Sequence, residues 1–435
     1  VSGARPGRRV AGKVDDVAET TAQLKIEVDP GEVGMDAGRL ARIDSHLARY
    51  IEARKLAGTL TVVTRRGKVV YLDAQGERDV EAGLPVETDT LWRIYSMTKP
   101  VTSVAAMMLV EQGLLELNDP IGGYLPAFAA PRVYSGGSAL KPTTVPATEP
   151  IRVWHLLTHT AGLTYGFHHQ HPVDAIYRRE GFEWGAPQGF DLAACCDAWA
   201  AMPLVAQPGS QWVYSVASDV LGRLVEVVSG RPLDEFLDEN LFTPLGMIDT
   251  HFGTPLENRD ERLARTAVLY GPHPETGQLV RNDMMGGAAL TRPRMLSGGG
   301  GLVSTAADYH RFTQMLLRRG ELDGVRVLGS RTVDYMASNH LPGGLDLDSF
   351  GQPVFAETPM VGIGFGLGFS VTLDAAATKV LSSPGEFAWG GAASTAFWVD
   401  PKEELTAMFF TQLLPSSTYP VRSQLRSLVY QALVD

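Results

Sequence analysis

Leu40, Ile43, Leu47 and Ile51 recur three and four residues apart, an apolar stripe that predicts a helix with one buried face. Residues 59–71 read as two strands folded about a turn at Arg65, Arg66 and Gly67. Over 101–112, Val, Ala, Met and Leu crowd every side, as in a helix buried all round, and Gly113 is placed to end it. A second helical run covers 217–228. In the last third, 365–372, 393–399 and 405–414 are strand-like, with Asp400, Pro401, Lys402 and Glu403 turning between the last two. The chain closes on a helix whose Val421, Leu425, Leu428, Val429, Ala432 and Leu433 share one side.

Between these elements the pattern breaks. Residues 134–150, rich in Gly, Ser, Thr and Pro, read as a surface loop. Residues 163–190 carry aromatics and histidines without periodicity, as expected of a loop over a binding site. Residues 1–30 read as a polar arm. Strands and helices at both ends of the chain, with a helical block between, predict an α/β (α+β) protein. Its two parts are a discontinuous α/β domain, 31–95 with 291–435, and a mainly helical domain, 96–290.

Composition narrows the function classes. Of 435 residues, 44% are hydrophobic and 20% charged, ordinary for a globular enzyme and wrong for a disordered chain. The net charge of -11, with no Lys/Arg cluster, gives nucleic-acid binding no electrostatic support. No apolar run is long enough to span a membrane, and the basic opening lacks a signal peptide's apolar core. The two cysteines, Cys195 and Cys196, are adjacent and badly placed to bond each other. That usage points to a reducing compartment and a cytoplasmic location.

Gly-x-Ser-x-Gly is absent, which disfavours a nucleophile elbow. Ser-x-x-Lys occurs twice. Ser138 and Lys141 fall in the loop-like stretch, where nothing fixes one against the other. Ser96 and Lys99 open the most apolar helix of the chain, and residues three apart share a helical face. An amine beside a hydroxyl at a helix start, where backbone N–H groups lack partners, suits a nucleophile with an oxyanion site. The ordinary reading of such a pair is a helix cap and a solvated lysine. A free ammonium is a poor base near neutrality, so Lys99 needs burial or a nearby phenol to act as one. Tyr214, between the turn at 207–210 and the helix at 217–228, is a candidate for that phenol. Trp389, Gly390, Gly391 and Ala392 precede a strand. Paired glycines on an edge let substrate approach the backbone, and the Ala392 N–H is a candidate second oxyanion donor.

His155 and His159 are four apart on an expected helix, a metal-compatible spacing, but Leu156 stands where a His-Glu-x-x-His motif has Glu. Structural hydrogen bonding is the ordinary reading, and the same holds for His168, His169 and His171 at a polar loop tip.

Ser-x-x-Lys, then Tyr-Ser-x, then Trp-Gly-Gly, in that order, resembles the family VIII carboxylesterases, which share the fold of class C β-lactamases and penicillin-binding proteins. Segments 155–163, 241–247 and 300–308 match the same superfamily, and the likeness spans 36–433. It implies a β-lactamase-like fold, an antiparallel sheet flanked by the terminal helices plus an inserted helical domain. It further implies Ser96 as nucleophile, Lys99 with Tyr214 as base, the N–H groups of Ser96 and Ala392 as oxyanion hole, and Trp389, Gly390 and Gly391 against the substrate. Neither metal nor organic cofactor is implied; the partner is a small-molecule ester, with short-chain esters the first expectation. Two departures bear on substrate. Trp389 stands where the β-lactamases have the Lys of Lys-Thr-Gly, and Val216 where they have the Asn of Tyr-x-Asn. Both favour neutral, apolar esters over carboxylate-bearing lactams. A β-lactamase or D-amino peptidase, an acyltransferase to an alcohol, and a non-catalytic binding protein are the alternatives on the same fold.

Overall fold

The computed structural model describes residues 23–351 and 360–435, and most of the expected arm, 1–22, lies outside them. The remainder of that arm runs beside the first hairpin, with the Glu27 N–H donating to the Val69 carbonyl at 2.9 Å.

The centre is an eight-stranded antiparallel sheet. Its strands are β1 (Gly58–Arg65), β2 (Lys68–Asp79), β3 (Leu84–Pro85), β4 (Ile363–Phe365), β5 (Ser370–Thr372), β6 (Phe387–Gly390), β7 (Ala396–Asp400) and β8 (Leu405–Phe410). Their order is β4-β5-β6-β7-β8-β1-β2-β3, so both ends of the chain build one sheet. β1 lies between β8 and β2, is rich in β-branched residues and is buried along its whole length. Leu60 and Val62 face one core and Val63 the other. Arg66 and Gly67 close the β1–β2 hairpin with φ of 52° and 73°. A two-residue loop with both φ positive matches the twist of its strands, which is why glycine stands there.

Five helices frame the site: α1 (Arg42–Glu52), α2 (Thr98–Glu111), α3 (Ala217–Ser229), α4 (Ala306–Leu317) and α5 (Val421–Tyr430). The stripe read from the sequence turns inward on α1. Ile43 and Leu47 join Leu425 and Val429 of α5 over Val63, Ala407 and Phe409. Each such side chain contributes about 1.5–3 kcal/mol on burial, enough to hold two exposed-faced helices against one sheet face. α4 covers the opposite face, with the rings of Tyr309 and Phe397 5.3 Å apart.

Four expectations change. Residues 134–150 are not a plain loop, since Arg132–Ser138 and Lys141–Pro146 pair as an antiparallel hairpin. Its residues are mostly exposed on both sides, so no alternation marks it. The segment 365–372 divides into β4 and β5 about a turn with Gly368 at φ 101°. The strand expected at 393–399 begins at Ala396, because 391–395 is the turn joining β6 to β7. Gly390 therefore ends an interior strand, not an edge.

α2 and α3 lie side by side, and the glycine run 298–301 threads between them. A Cβ on Gly298 would come 2.7 Å from the Ser218 carbonyl, so only glycine fits. Thr102 Oγ1 donates to the Gly298 carbonyl at 2.8 Å and fixes the run against α2. Among the described residues no helix is long and apolar enough to cross a membrane.

Candidate active site

Ser96 sits on a single 3-10 turn, Tyr95–Met97, that leads into α2. Tyr95 has φ 43°, an unfavourable value for a residue with a Cβ. The turn is held in place by Ile94 N–H to the Leu302 carbonyl at 3.1 Å and by Tyr309 Oη to the Met97 carbonyl at 3.0 Å. The strained residue thus lies immediately before the candidate nucleophile.

Three residues on, Lys99 is 1% exposed. Its Nζ donates to Ser96 Oγ at 3.3 Å, to Tyr165 Oη at 3.0 Å and to the Gly299 carbonyl at 2.7 Å. Tyr214 Oη donates to Ser96 Oγ at 2.6 Å. The structure therefore brings Ser96, Lys99 and Tyr214 to one point. The second Ser-x-x-Lys lies at the exposed tip of the 132–146 hairpin, where the Lys141 backbone N–H meets Ser138 Oγ.

Tyr165 and Asp219 belong to this cluster with no signature in local sequence, and Gly299 joins them from a glycine run. Asp219 is buried in the first turn of α3 and accepts from Ser297 Oγ at 2.5 Å and from the Gly299 N–H at 3.1 Å. The carboxylate thereby holds the peptide run whose carbonyl meets Lys99. Burial pushes the Asp219 carboxyl up, and the Lys99 charge with these hydrogen bonds pulls it back. Burial also drives the Tyr165 phenol well above its ordinary range, with the negative charge of Asp219 adding to it, so Tyr165 keeps its proton. A run of four glycines after Ser297 was the available signal for this wall.

Tyr214 is fixed from both sides. The Val213 N–H donates to the His159 carbonyl at 2.8 Å, and His168 Nε2 donates to the Tyr214 carbonyl at 2.6 Å. The His159 ring lies 5.0 Å from the Tyr214 ring, held neutral by burial and then by the Lys99 charge. His155 and His159 do not share a helix face. The helix there is Val153–Leu157, and His159 follows it at φ 54°. His155 Nδ1 accepts from the Arg152 N–H at 2.9 Å, a cap. Among the described residues no group of three His, Cys, Asp or Glu is placed to hold a metal. His168 turns inward, whereas His171 caps the helix Pro172–Arg179 that interrupts the expected 163–190 loop.

Gly391, beside the candidate donor Ala392, packs closely because it has no side chain. A Cβ there would come 2.4 Å from the Ile94 carbonyl and 2.3 Å from Thr395 Oγ1. The end of β6 is thus drawn against the turn that carries Ser96. The Ala392 N–H has no hydrogen-bond partner among the described residues, and the Ser96 N–H opens a helix, where intrahelical acceptors are lacking.

The beta-lactamase family model matches residues 43–431. The chain belongs to that family. Protein Rv1367c of Mycobacterium tuberculosis is 39% identical over 368 residues, covering 84% of this chain and 88% of its own. Esterase EstB of Burkholderia gladioli is 32% identical over 417 residues, covering 93% of this chain and 98% of its own. Among solved structures, EstCE1, described as a hydrolase with promiscuous acyltransferase activity, superposes with a TM-score of 0.76 at 28% identity, covering 90% of this chain and 99% of its own. Unliganded simvastatin synthase (LovD) from Aspergillus terreus, as its selenomethionyl derivative, gives 0.77 at 26% identity, covering 91% and 98%. The β-lactamase-like fold expected from the sequence is the one observed.

In this family member the cluster opens into a cleft of about 1170 Å³, bordered by Ser96, Tyr214 and residues 389–392. One wall is a ladder of near-parallel rings, with Tyr165 and Phe167 4.6 Å apart and Phe167 and Trp184 5.1 Å apart. Tyr214 continues the series, its ring 5.5 Å from Tyr165 and 5.6 Å from Trp389, which meets Phe365 edge-on at 5.3 Å. Val216 is buried and faces the same cleft.

Proposed function

We propose that this protein is a serine carboxylesterase acting through an acyl-enzyme on Ser96. The observation that carries the reading is the position of Ser96 Oγ, 2.6 Å from Tyr214 Oη and 3.3 Å from Lys99 Nζ, at the floor of an apolar cleft. In the first half-reaction Ser96 Oγ attacks the ester carbonyl carbon and gives its proton to the Lys99 and Tyr214 pair. The carbonyl oxygen becomes an oxyanion received by the N–H groups of Ser96 and Ala392. The carbon–oxygen bond to the alcohol breaks, and the proton passes to the departing oxygen. Water then repeats the sequence on the acyl-enzyme and frees the acid. The names of the relatives esterase EstB and lovastatin esterase support an ester substrate. No step calls on a metal or an organic cofactor.

Trp389 and Val216 leave the cleft without the lysine and asparagine that suit carboxylate-bearing lactams, which favours neutral esters. The decisive test is intact-protein mass after brief exposure to a p-nitrophenyl phosphonate. One adduct on the parent and none on Ser96→Ala is expected. No adduct, or one that survives the substitution, overturns the reading and leaves a binding protein of the same fold.

Acyl transfer to an alcohol is the second reading. The size of the cleft favours it, since about 1170 Å³ exceeds what a short-chain ester fills and leaves room for an acceptor. Relatives named as methylbutanoyltransferases point the same way. Added alcohols that divert product from acid to new ester would establish it.

A further inference from the structure

The C-terminal helix reaches the oxyanion loop through Arg422, a residue in the first turn of α5. Its Nη2 donates to the Gly391 carbonyl at 2.5 Å and to the Thr395 carbonyl at 2.9 Å. Gly390 makes room for it, because a Cβ there would come 2.9 Å from Arg422 Cζ and 3.0 Å from Nη2. The Thr395 carbonyl also accepts from the Gly391 N–H at 2.8 Å, and the Ser394 N–H joins the Gly391 carbonyl at 3.1 Å. Both ends of the 391–395 turn are therefore gathered on one guanidinium.

The Gly391 carbonyl and the Ala392 N–H belong to the same peptide unit. Resonance couples its two ends, so a positive charge at the oxygen draws density from the nitrogen and makes the N–H a stronger donor. A guanidinium keeps that charge at any working pH, and charge-assisted hydrogen bonds are the strong ones. We propose that Arg422 is a positioning residue of the reaction, fixing and polarising the peptide that joins Gly391 to Ala392 so that its N–H meets the developing oxyanion. The inference rests on the serine-esterase reading. It also gives the strand end a cation despite Trp389, engaged with backbone carbonyls.

The test compares the parent with Arg422→Gln and Arg422→Lys. It reads steady-state kinetics on a p-nitrophenyl ester, thermal midpoint, and the infrared stretch of the acyl carbonyl in an acyl-enzyme accumulated with an isotope-labelled ester. Losing one oxyanion donor costs about 100- to 1,000-fold, so weakening one by Arg422→Gln should lower kcat about 10- to 100-fold. KM should stay within about twofold, since the contact strengthens only as charge develops. The carbonyl stretch should rise towards its value in water, and Arg422→Lys should restore part of both. An unchanged kcat and stretch overturns the inference. So does a fall in thermal midpoint and activity with the stretch unmoved, which marks a residue that only holds the fold. A KM that rises only for esters bearing a carboxylate would instead make Arg422 a substrate contact, and also overturns it. A parent that neither turns over nor takes the phosphonate on Ser96 overturns the esterase reading and this inference together, a result distinct from a live parent beside an equally live Arg422→Gln.

Discussion

Lys99 Nζ stands over the face of the Tyr214 ring, 4.5 Å from its centroid. The lysine therefore acts on the phenol through the ring and through their shared neighbour, Ser96 Oγ. With Tyr165 Oη and the Gly299 carbonyl as its other partners, the lysine head is held from several directions. Each base candidate has its own anchors, and the two meet at Ser96 Oγ.

The kinetic consequence is non-additivity. Ser96→Ala should abolish turnover. Lys99→Ala and Tyr214→Phe should each lower kcat by about 100- to 10,000-fold, the usual worth of a positioned acid or base. The double variant should fall far short of the product of the two losses, because groups acting as a unit are lost together. Full activity in any single variant would sink the assignment, and multiplicative losses would show two independent roles.

Gly391→Ala tests the oxyanion side without touching a side chain of the cluster. The new methyl would have to displace the Ile94 carbonyl or Thr395, one of which supports the Ser96 turn and the other the loop. Activity should fall at least about 100-fold, the loss of one donor, while phenolic and amine groups stay in place. Gly299→Ala makes a useful comparison, since its Cβ would fall 2.6 Å from Asp219 Oδ2 and disturb the lysine side instead. Parent-like rates in Gly391→Ala would mean that the Ala392 N–H is not a donor.

The legible part of this site is the part that is local in sequence. Ser96 and Lys99 are one helical turn apart, so spacing brings that pair forward, whereas Tyr214 stands only at a turn-to-helix junction and is carried by the order of motifs shared with the family VIII carboxylesterases. Tyr165 and Gly299 reach Lys99 from 66 and 200 residues away, and Arg422 reaches Gly391 from 31. No periodicity encodes such contacts, because they depend on how the elements cross. The central strands β1, β7 and β8 are buried on both faces, so near-continuous apolar and β-branched runs mark them. The 132–146 hairpin escaped because solvent meets most of it, and β4 with β5 read as one strand because apolar residues continue through their turn.

Trp389 should govern preference more than rate. It closes the cleft beside Tyr214 and replaces a cation with an apolar ring. Trp389→Ala should therefore widen the acyl or alcohol side, shifting the chain-length profile of kcat/KM towards bulkier esters by about 10-fold. One lost or gained pocket group is worth about 1–3 kcal/mol. A profile that scales uniformly, with no change in ratio between short and bulky esters, would remove Trp389 from the pocket.

Asp308 sets a pH dependence of stability away from the chemistry. It is 1% exposed in the first turn of α4, and its Oδ2 accepts from the Asp249 N–H at 2.7 Å and Thr250 Oγ1 at 2.8 Å. Burial pushes its carboxyl up to about 7, outweighing those two hydrogen bonds. The folded protein thus keeps a proton that the unfolded chain gives up near the ordinary carboxyl value of 3.8. The stabilisation from this group is complete below that value and lost as pH rises through about 7, at up to roughly 1.4 kcal/mol per unit. Asp308→Asn keeps an acceptor in place and cannot ionise. The thermal midpoint of the variant should therefore gain on the parent as pH rises from about 4 to about 7, and the gap should level off above that. Parallel curves across the range would mean that Asp308 ionises equally in both states.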